Sequence, residues 1–404
     1  MKRLAFLCPR YLWAGGGSVL YTRCLADELA GKGHEVTIIA DETDTRSDPG
    51  ALGEAACPVL TFPRDPRPEA RAKRAISIEE KRGGYRLGRW LFRSGRTRLM
   101  ARGPCCPELE NPDNFREFDA VILMNSGSSA WTLHMAELLP RLSPGTWTAA
   151  FPFAHPHEEV SRYPVLKRLH EGYHAICTLT DFEQTFFAGR GWAQGDMHTM
   201  LAGSYPYPGE VDPLAFRQRH HIPPDAPLVL FLGRKIYNKG VTHVVEAMEQ
   251  VWAEEPEARL ALLGFSHNRP EWIQEYLDRS QFDVERLVIQ ADDVDTLERE
   301  EALAACSLLA VPSISDSFGM VYLDAWRHHK PVIACSESCC ETFIDHGETG
   351  LLVAFDSVDA LGREMVALLA DPEAAARIGA RGHVAWRERF QWHQVADRFE
   401  TLLG

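Results

Sequence analysis

The stretch LVLFLGRKIYNKG, residues 228–240, decides the fold. Its first five residues are all apolar, which is typical of a strand buried on both faces of a parallel sheet. A basic turn containing Gly233 and Arg234 follows, and Lys239 comes just before an apolar stripe with helical spacing. This order of strand, glycine-containing turn and helix predicts a Rossmann-like unit that binds a ligand at the carboxyl end of the strand.

Apolar strand segments alternate with helical segments in two series along the chain. The predicted strands are residues 4–8, 36–39, 120–124, 149–153 and 175–179 in the first series, and 228–232, 260–263, 287–289, 308–311 and 332–334 in the second. A stretch rich in Gly, Pro and Tyr at residues 202–227 predicts a linker. We therefore expect an α/β protein with two Rossmann-like domains, residues 1–205 and 206–385, that face each other across a cleft. Apolar residues at helical spacing predict a final helix over residues 384–403.

Composition excludes several classes of protein. The 404 residues are 45% hydrophobic and 25% charged, which is typical of a globular chain and excludes disordered and collagen-like proteins. No apolar run approaches the roughly 18 residues of a membrane-spanning helix, and the apolar segment 4–8 is too short for a secretory signal. Ten cysteines occur without a Cys-x-x-Cys pair, so we expect buried thiols rather than disulfides or a zinc site. A cytoplasmic protein is the interpretation that follows.

Although the net charge of the chain is −14, one segment, Arg64 to Arg102, is basic. This segment holds 13 basic and four acidic residues, a net charge of +9, and the rest of the chain is strongly acidic. A protein with this overall charge is a poor general nucleic-acid binder. Arginines 86, 89, 93 and 96 recur at helical spacing, which favours either a helix that rests on an anionic membrane surface or a solvated basic loop.

A pair of acids marks the end of another predicted strand. The strand 308–311 leads into a loop with Asp316, and Asp324 follows eight positions later in a predicted helix. Both carboxylates can then reach one ligand bound over the end of that strand. Carboxylates accept hydrogen bonds from sugar hydroxyls, which is how Rossmann folds hold a ribose. The alternative is that one acid is placed by the helix dipole and the other is simply solvated.

Three further acids are Asp292, Asp293 and Asp295, of which the Asp293-x-Asp295 pair is similar to a metal-binding acid pair. They come just before a predicted helix that starts at Thr296, where the helix dipole favours acidic residues. We therefore expect no metal site here.

Together these elements resemble the retaining nucleotide-sugar glycosyltransferases of the GT-B fold, glycosyltransferase family 4. The resemblance is carried by Gly-Arg-x4-Lys-Gly at residues 233–240, by an acid-x-Phe-Gly-x3-Leu-acid element at residues 316–324, and by Pro-Val-Ile-Ala at residues 331–334. The triple glycine at residues 15–17 is similar to the N-terminal glycine loop of that family. The resemblance implies a first domain for the acceptor, a second for the nucleotide sugar, and a last helix, residues 386–404, that crosses back to the first domain.

The resemblance also implies a role for each matching residue. Arg234 and Lys239 would bind the donor diphosphate, Asp316 would contact the transferred sugar, and Asp324 would contact the ribose. His155, which follows a predicted strand of the first domain, is similar to the cleft histidine of the family and would lie near the sugar. The positions that would bring backbone close to the donor are Gly16, Gly17, Phe318, Gly319 and Met320.

The implied reaction is a retaining transfer of a hexosyl or related group from a nucleotide diphosphate sugar to an acceptor. The acceptor would be a sugar, a glycolipid or a small molecule, and neither a metal nor a cofactor beyond the nucleotide-sugar co-substrate is implied. A lipid-linked or anionic acceptor would suit the basic segment Arg64 to Arg102, which would then hold the protein on the inner face of the membrane.

Two departures from the family pattern keep alternatives open. The family usually has Glu where this chain has Asp316 and Asp324, and each Asp is shorter by one methylene group. The chain also has Ser-Cys-Cys-Glu-Thr at residues 338–342, where the family tends to have Gly-Gly and a Glu. A sugar-nucleotide hydrolase or epimerase of the same fold, and a catalytically inactive sugar-nucleotide-binding protein, therefore remain alternatives. A dehydrogenase would need Gly-x-Gly-x-x-Gly at the first turn, which residues 15–18 do not supply.

Overall fold

The chain divides into two compact units. The first unit comprises Met1–Ala202 with Trp392–Gly404, and the second comprises Gly203–Gln391. The computed structural model describes residues 1–9, 16–42, 56–82, 96–127, 129–192, 197–265, 275, 278–279, 288–292 and 294–404. Of the predicted basic helix, Arg86, Arg89 and Arg93 lie outside these described residues.

The first unit is built on a parallel sheet. Its strands are β1 (Arg3–Leu7), β2 (Glu35–Asp41), β3 (Val59–Phe62), β4 (Ala120–Met124), β5 (Trp147–Phe151), β6 (Ala175–Thr178) and β7 (Met197–Thr199). Their order in the sheet is β3-β2-β1-β4-β5-β6-β7. The central strand β4 is buried along its whole length, because its five residues are all apolar and the sheet is covered on both faces.

Helices lie between these strands along the chain. They are α1 (Gly17–Gly31), α2 (Pro66–Arg82), α3 (Arg96–Arg102), α4 (Trp131–Leu138), α5 (Pro164–His170) and α6 (Asp181–Ala188). The N-cap residue of helix α1 is Gly16.

The second unit repeats this architecture. Its strands are β8 (Leu228–Leu232), β9 (Arg259–Leu263), β10 (Val288–Ala291), β11 (Leu308–Ala310), β12 (Val332–Cys335) and β13 (Leu351–Val353). Its helices are α7 (Pro213–Arg219), α8 (Val241–Glu254), α9 (Thr296–Ala305), α10 (Met320–Arg327), α11 (Val358–Ala370) and α12 (Pro372–Arg389). The sheet is parallel, with the strand order β10-β9-β8-β11-β12-β13. The predicted α/β class is therefore confirmed.

The last helix, α13 (Trp392–Leu403), belongs to the first unit, as predicted. Phe399 on this helix packs against Phe6 and Trp147, with ring centroids 6.0 and 5.8 Å apart. The prediction of one continuous helix over residues 384–403 is wrong, because α12 ends at Arg389. The next residue, Phe390, is buried among aromatic rings of the second unit, which ends the helix there.

The strands that the sequence did not predict are β3, β7 and β13. Each has only three or four residues, and each lies at the edge of its sheet. These strands are too short to form the longer apolar run that marks a central strand, and β3 and β7 also contain polar residues.

The remaining sequence-based expectations concern thiols and membrane helices. All ten cysteines are free and buried, as predicted. Within the described part of the chain, every helix is too short or too polar to span a bilayer.

Candidate active site

In the second sheet, the order in which the chain adds successive strands reverses between β8 and β11, and this position is the switch point of the sheet. Strand β8 lies beside β11, and the chain runs outward from β8 through β9 to β10, then returns to β11 and runs outward on the other side. A crevice for a ligand is expected at the carboxyl ends of the two strands at such a position. Parallel α/β sheets bind their ligands in this crevice. The loop after β8 carries Arg234 and Lys239, and the loop after β11 carries Asp316.

The structure brings Lys239 and Asp316 into direct contact. The Lys239 ammonium donates a hydrogen bond to Oδ1 of Asp316, and the two side chains are only 11% and 13% exposed. Two residues 77 positions apart thus form a largely buried ion pair at the switch point of the sheet. The structure thus brings these two predicted site residues together, and the ligand roles that the resemblance implies for them stay predictions.

Backbone contacts hold the two loops against each other. The amide of Ile314 donates to the carbonyl oxygen of Asn238 at 3.1 Å. Gly240, the N-cap of α8, has a φ of 75°. A Cβ at that position would lie 2.7 Å from the carbonyl oxygen of Pro312, so glycine is required for this close approach.

The two basic residues that follow Gly233 have different surroundings. Arg234 is exposed at the end of β8, where its guanidinium can receive an anionic ligand. Lys235 is 2% exposed, and its ammonium donates to the carbonyl oxygen of Ala291 at 3.2 Å and to Oδ1 of Asp292 at 2.7 Å. Lys235 therefore ties the β8 loop to the end of β10, and Arg234 is the cation of this pair that is open to a ligand.

The loop after β11 ends at the start of α10. Gly319, the N-cap of this helix, has a φ of 85°, and Met320 is the first helical residue. The Phe318 side chain is buried and stacks on Phe343 with ring centroids 4.8 Å apart. Phe318 can therefore offer only its backbone to a ligand, and the first amides of a helix are suited to an anion.

Asp324 occupies a different environment from the one that the ribose role requires. Its side chain is 2% exposed, and Oδ2 accepts a hydrogen bond from the guanidinium of Arg299. Oδ1 accepts a hydrogen bond from the backbone amide of Tyr205 at 2.6 Å. Both oxygens thus have partners inside the unit, and the arrangement does not support a ribose contact.

The pair between Arg299 and Asp324 extends into a larger buried network. Glu300 is fully buried and accepts hydrogen bonds from Arg299, Arg327 and His328. Burial alone lowers the pKa of the Arg299 guanidinium, but the carboxylates of Asp324 and Glu300 outweigh burial and raise it. The guanidinium of Arg299 also lies over the ring of Tyr205, 4.8 Å from its centroid. This network holds Tyr205, and with it the first residues of the second unit, in place.

In the first unit, the candidate residues lie at carboxyl ends of strands. Gly16 and Gly17 follow β1 and are exposed, and the carbonyl oxygen of Gly16 accepts hydrogen bonds from the first amides of α1. Gly15 lies outside the described residues. His155 follows β5 and is half-buried, and its amide donates to Oγ of Ser161 at 3.0 Å.

Two of the acids before α9 have hydrogen-bond partners within the protein. Asp295 is the N-cap of α9, and its side chain accepts from the amide of Glu298 at 2.8 Å. Asp292 pairs with Lys235, and Asp293 lies outside the described residues. Among the residues with described positions, no group of three or more His, Cys, Asp or Glu side chains is arranged to hold a metal ion.

The match to a known protein family falls within the second unit. Residues 226–371 match the family model described as glycosyl transferases group 1. The matched segment contains Arg234, Lys239, Asp316 and Asp324.

Curated relatives of the chain are glycosyltransferases. It is similar to the D-inositol 3-phosphate glycosyltransferase of Xylanimonas cellulosilytica, with 33% identity over 183 residues, which cover 45% of this chain and 43% of that protein. It is also similar to the lipopolysaccharide core biosynthesis glycosyltransferase LpsE of Rhizobium meliloti, with 26% identity over 46% of this chain and 53% of LpsE. The matched segments thus span about half the length of these relatives.

Solved structures resemble the chain over its whole length. Anabaena HepE in complex with UDP and glucose superposes with a TM-score of 0.76 at 16% identity, and the match covers 100% of this chain and 99% of HepE. WaaG, a glycosyltransferase involved in lipopolysaccharide biosynthesis, gives a TM-score of 0.67 at 16% identity, with 99% of each chain covered. These likenesses show the fold, and the predicted GT-B fold is confirmed.

Proposed function

We propose that the protein is a retaining glycosyltransferase that moves a sugar from a nucleoside diphosphate sugar to an acceptor. The observation that carries this proposal is the meeting of the Arg234 loop, Lys239 and Asp316 at the switch point of the sheet in a glycosyl transferases group 1 domain. The placement of two cations and an acid in this crevice suits a ligand that combines a diphosphate with a sugar.

The donor diphosphate is bound by the two cations. The planar guanidinium of Arg234 can contact two phosphate oxygens, and the Lys239 ammonium supplies a compact positive charge. The first amides of α10, at Gly319 and Met320, add hydrogen-bond donors. HepE has been crystallised with UDP and with UDP-glucose, which supports a donor of this class for a chain with the same fold.

The transfer exchanges one bond at the anomeric carbon for another. The bond from the anomeric carbon to the phosphate oxygen breaks, and a bond to the acceptor oxygen forms on the same face of the sugar. The departing phosphate oxygen takes the acceptor proton, so nucleoside diphosphate and glycoside are the products. Negative charge develops on the diphosphate as the bond breaks, and Arg234 and Lys239 stabilise that charge without a metal ion.

Asp316 has a second role in this proposal. In the ligand-free arrangement it neutralises Lys239. A bound diphosphate offers Lys239 a competing partner, which leaves the Asp316 carboxylate to accept hydrogen bonds from the sugar hydroxyls.

The acceptor, in our proposal, is anionic or lipid-linked and is bound by the first unit. Helix α2 presents Arg67, Arg71 and Arg74 on one exposed face, because steps of four and three residues return to the same side of a helix. A basic face of this kind is attracted to anionic lipids. It provides a peripheral contact with an anionic membrane.

Vesicle binding tests this membrane contact. The double variant Arg71→Ser/Arg74→Ser is expected to bind phosphatidylglycerol vesicles more weakly than the wild-type protein at low salt, and the difference should shrink as salt is added. Arg363→Ser/Arg377→Ser, which removes two exposed arginines from the second unit, is the matched control. Equal sedimentation of both double variants with the vesicles would contradict the membrane contact.

Turnover assays separate the transferase from its alternatives. The wild-type protein is incubated with UDP-, GDP-, dTDP- and ADP-sugars, with and without phosphorylated and lipid-linked acceptors. A transferase releases nucleotide faster when its acceptor is present, whereas a hydrolase or epimerase converts the donor without one. A protein that is stabilised by a nucleotide against heat but converts no donor would be a binding protein, and the transferase proposal would then be wrong.

A further inference from the structure

We propose that Glu183 is a positioning residue for His155: its buried carboxylate fastens the loop that carries His155 to the end of the neighbouring strand. This inference rests on the proposed function, in which His155 contributes to sugar transfer. It adds a residue that the sequence pattern did not single out and that touches neither donor nor acceptor.

The contacts of Glu183 define this clamp. The side chain is 1% exposed and belongs to the first turn of α6. Its Oε1 atom accepts a hydrogen bond from the amide of Ala154 at 2.6 Å, and Oε2 accepts one from the amide of Leu179 at 2.7 Å. Ala154 immediately precedes His155 after β5, and Leu179 immediately follows β6. One carboxylate therefore joins the carboxyl ends of two adjacent strands.

Helix α6 does not need this carboxylate for its own capping. Thr180 is the N-cap residue, and its hydroxyl accepts a hydrogen bond from the amide of Glu183 at 3.3 Å. In a capping box, an acid at the position of Glu183 returns to the amide of the N-cap residue itself. Here the carboxylate instead bonds the amides of Leu179 and Ala154, so one of its two bonds serves the β5 loop.

The loop that Glu183 holds also contains backbone strain. Phe153 has a φ of 47°, in the left-handed region that a bulky side chain rarely adopts. Its ring stacks on Phe151 at 6.0 Å and meets Tyr21 edge-on at 5.3 Å, and this packing maintains the strained backbone. Strain of this kind persists where the surroundings fix a conformation, and such places are concentrated at functional sites.

His155 is held on both sides as a result. The preceding amide, that of Ala154, is bonded to Glu183, and the amide of His155 itself is bonded to Ser161. Ala154 is buried, whereas His155 is half-buried at the point where the chain leaves the core. The clamp thus fixes the backbone position of His155.

The titration of Glu183 makes the contribution of the clamp to stability depend on pH, which can be measured. Burial raises the pKa of Glu183 to about 7, although the amides of Ala154 and Leu179 act in the opposite direction. The ionisable groups that face it are Tyr21 and Cys177, whose pKa values are raised mainly by burial, and Arg398, which acts on the same cluster through Tyr21. A carboxyl with a raised pKa stabilises the folded protein below its ordinary pKa of 4.5, and this contribution is lost as the pH rises through 7.

The experiment compares Glu183→Gln with Thr180→Ala. The second variant removes the cap of the same helix and leaves both carboxylate bonds in place, so it controls for a general loss of stability. We expect Glu183→Gln to lower kcat by about tenfold or more, because a small misplacement of a reacting group can cost about 100-fold. Thr180→Ala should keep kcat within about twofold of the wild-type value. Amide exchange at Ala154 and His155 should accelerate in Glu183→Gln and remain slow in Thr180→Ala.

Two further measurements show whether Glu183 acts through His155. In a His155→Ala background, adding Glu183→Gln should cause little further loss of kcat, because the residue that it positions is gone. The difference in melting temperature between wild type and Glu183→Gln should shrink as the pH rises from about 4.5 to about 7. If Glu183→Gln fails to fold, Glu183→Asp, which keeps the charge but shortens the reach, should show the same faster exchange at Ala154.

The proposal is overturned if Glu183→Gln resembles Thr180→Ala in kcat and amide exchange, or if the losses from Glu183→Gln and His155→Ala simply multiply. Failure of the proposed function is a separate result. In that case the wild-type protein would convert no nucleotide sugar, while amide exchange at Ala154 would still report whether the clamp exists.

Discussion

The loop after β11 and the helix α10 each hold one acid of a single sequence pattern, and the two acids lie in different surroundings. Asp316, on the loop, is paired with Lys239 beside the crevice of the sheet. Asp324, inside the helix, is enclosed with Arg299 and the amide of Tyr205. The pattern alone predicts one ligand for both. The comparison shows that the partners of a carboxylate, rather than its spacing in the sequence, decide whether it can serve a ligand.

Burial explains why the helix acid contributes to stability. Removing one member of a buried ion pair leaves the other charge without compensation, at a cost of about 3–5 kcal/mol. The loop acid has a partner that a diphosphate can replace, so its pairing can be exchanged for a ligand contact. The loop is therefore expected to govern activity, and the helix interior is expected to govern the stability of the second unit.

The largest effect is expected at Arg234, in the same crevice as Asp316. Arg234→Ala should reduce kcat/KM by about 100- to 1000-fold, because it removes a charge that stabilises the departing diphosphate. The melting temperature should stay close to that of the wild-type protein, since Arg234 is exposed. Arg363→Ala, at another exposed arginine of the second unit, is the control for turnover and melting. A stable and fully active Arg234→Ala variant would exclude the diphosphate role.

An intermediate effect, on stability, is expected at Asp324. Asp324→Asn should lower the melting temperature by about 10 °C, because about 3–5 kcal/mol is lost and each kcal/mol shifts a unit of this size by about 2–4 °C. Glu373→Gln, an exposed acid of the same unit, should leave the melting temperature unchanged. Equal melting of Asp324→Asn and Glu373→Gln would show that the buried pair contributes nothing.

The smallest effect concerns recognition of the ribose. If Asp324 has no ribose contact, the ratio of the Kd values for 2′-deoxy-UDP and UDP should be the same in the wild-type protein and in Asp324→Asn. Calorimetric titration below the melting temperature of the variant measures both values. A ratio that falls to one only in Asp324→Asn would restore the ribose role and end the contrast between the two acids.

The sequence predicted the central parts of the fold because central strands of a parallel sheet are continuous apolar runs. It also placed Lys239 and Asp316 in segments that follow such runs, but it did not predict their ion pair, which depends on β8 and β11 being neighbours in the sheet. The edge strand β7 was missed, since three residues of which two are polar carry no such signal. The break at Phe390 was missed because the apolar spacing continues through it.

The surroundings of Asp324 and Glu183 could not be predicted. Tyr205 is 119 positions from Asp324, and the long-range contact that occupies this acid has no local signal. Glu183 occupies the third position after Thr180, where the sequence indicates a helix cap. Its bond to Ala154, 29 positions away, depends on β5 and β6 lying side by side in the sheet.

The most direct test of the account is a calorimetric titration of UDP, GDP, dTDP and ADP into the wild-type protein and into Arg234→Ala/Lys239→Ala. The account predicts that one of these nucleotides binds the wild-type protein and that the double variant, titrated below its own melting temperature, binds it at least about tenfold more weakly. Binding of the same strength to both proteins, or no binding to either, would contradict a diphosphate site at the switch point of the second sheet.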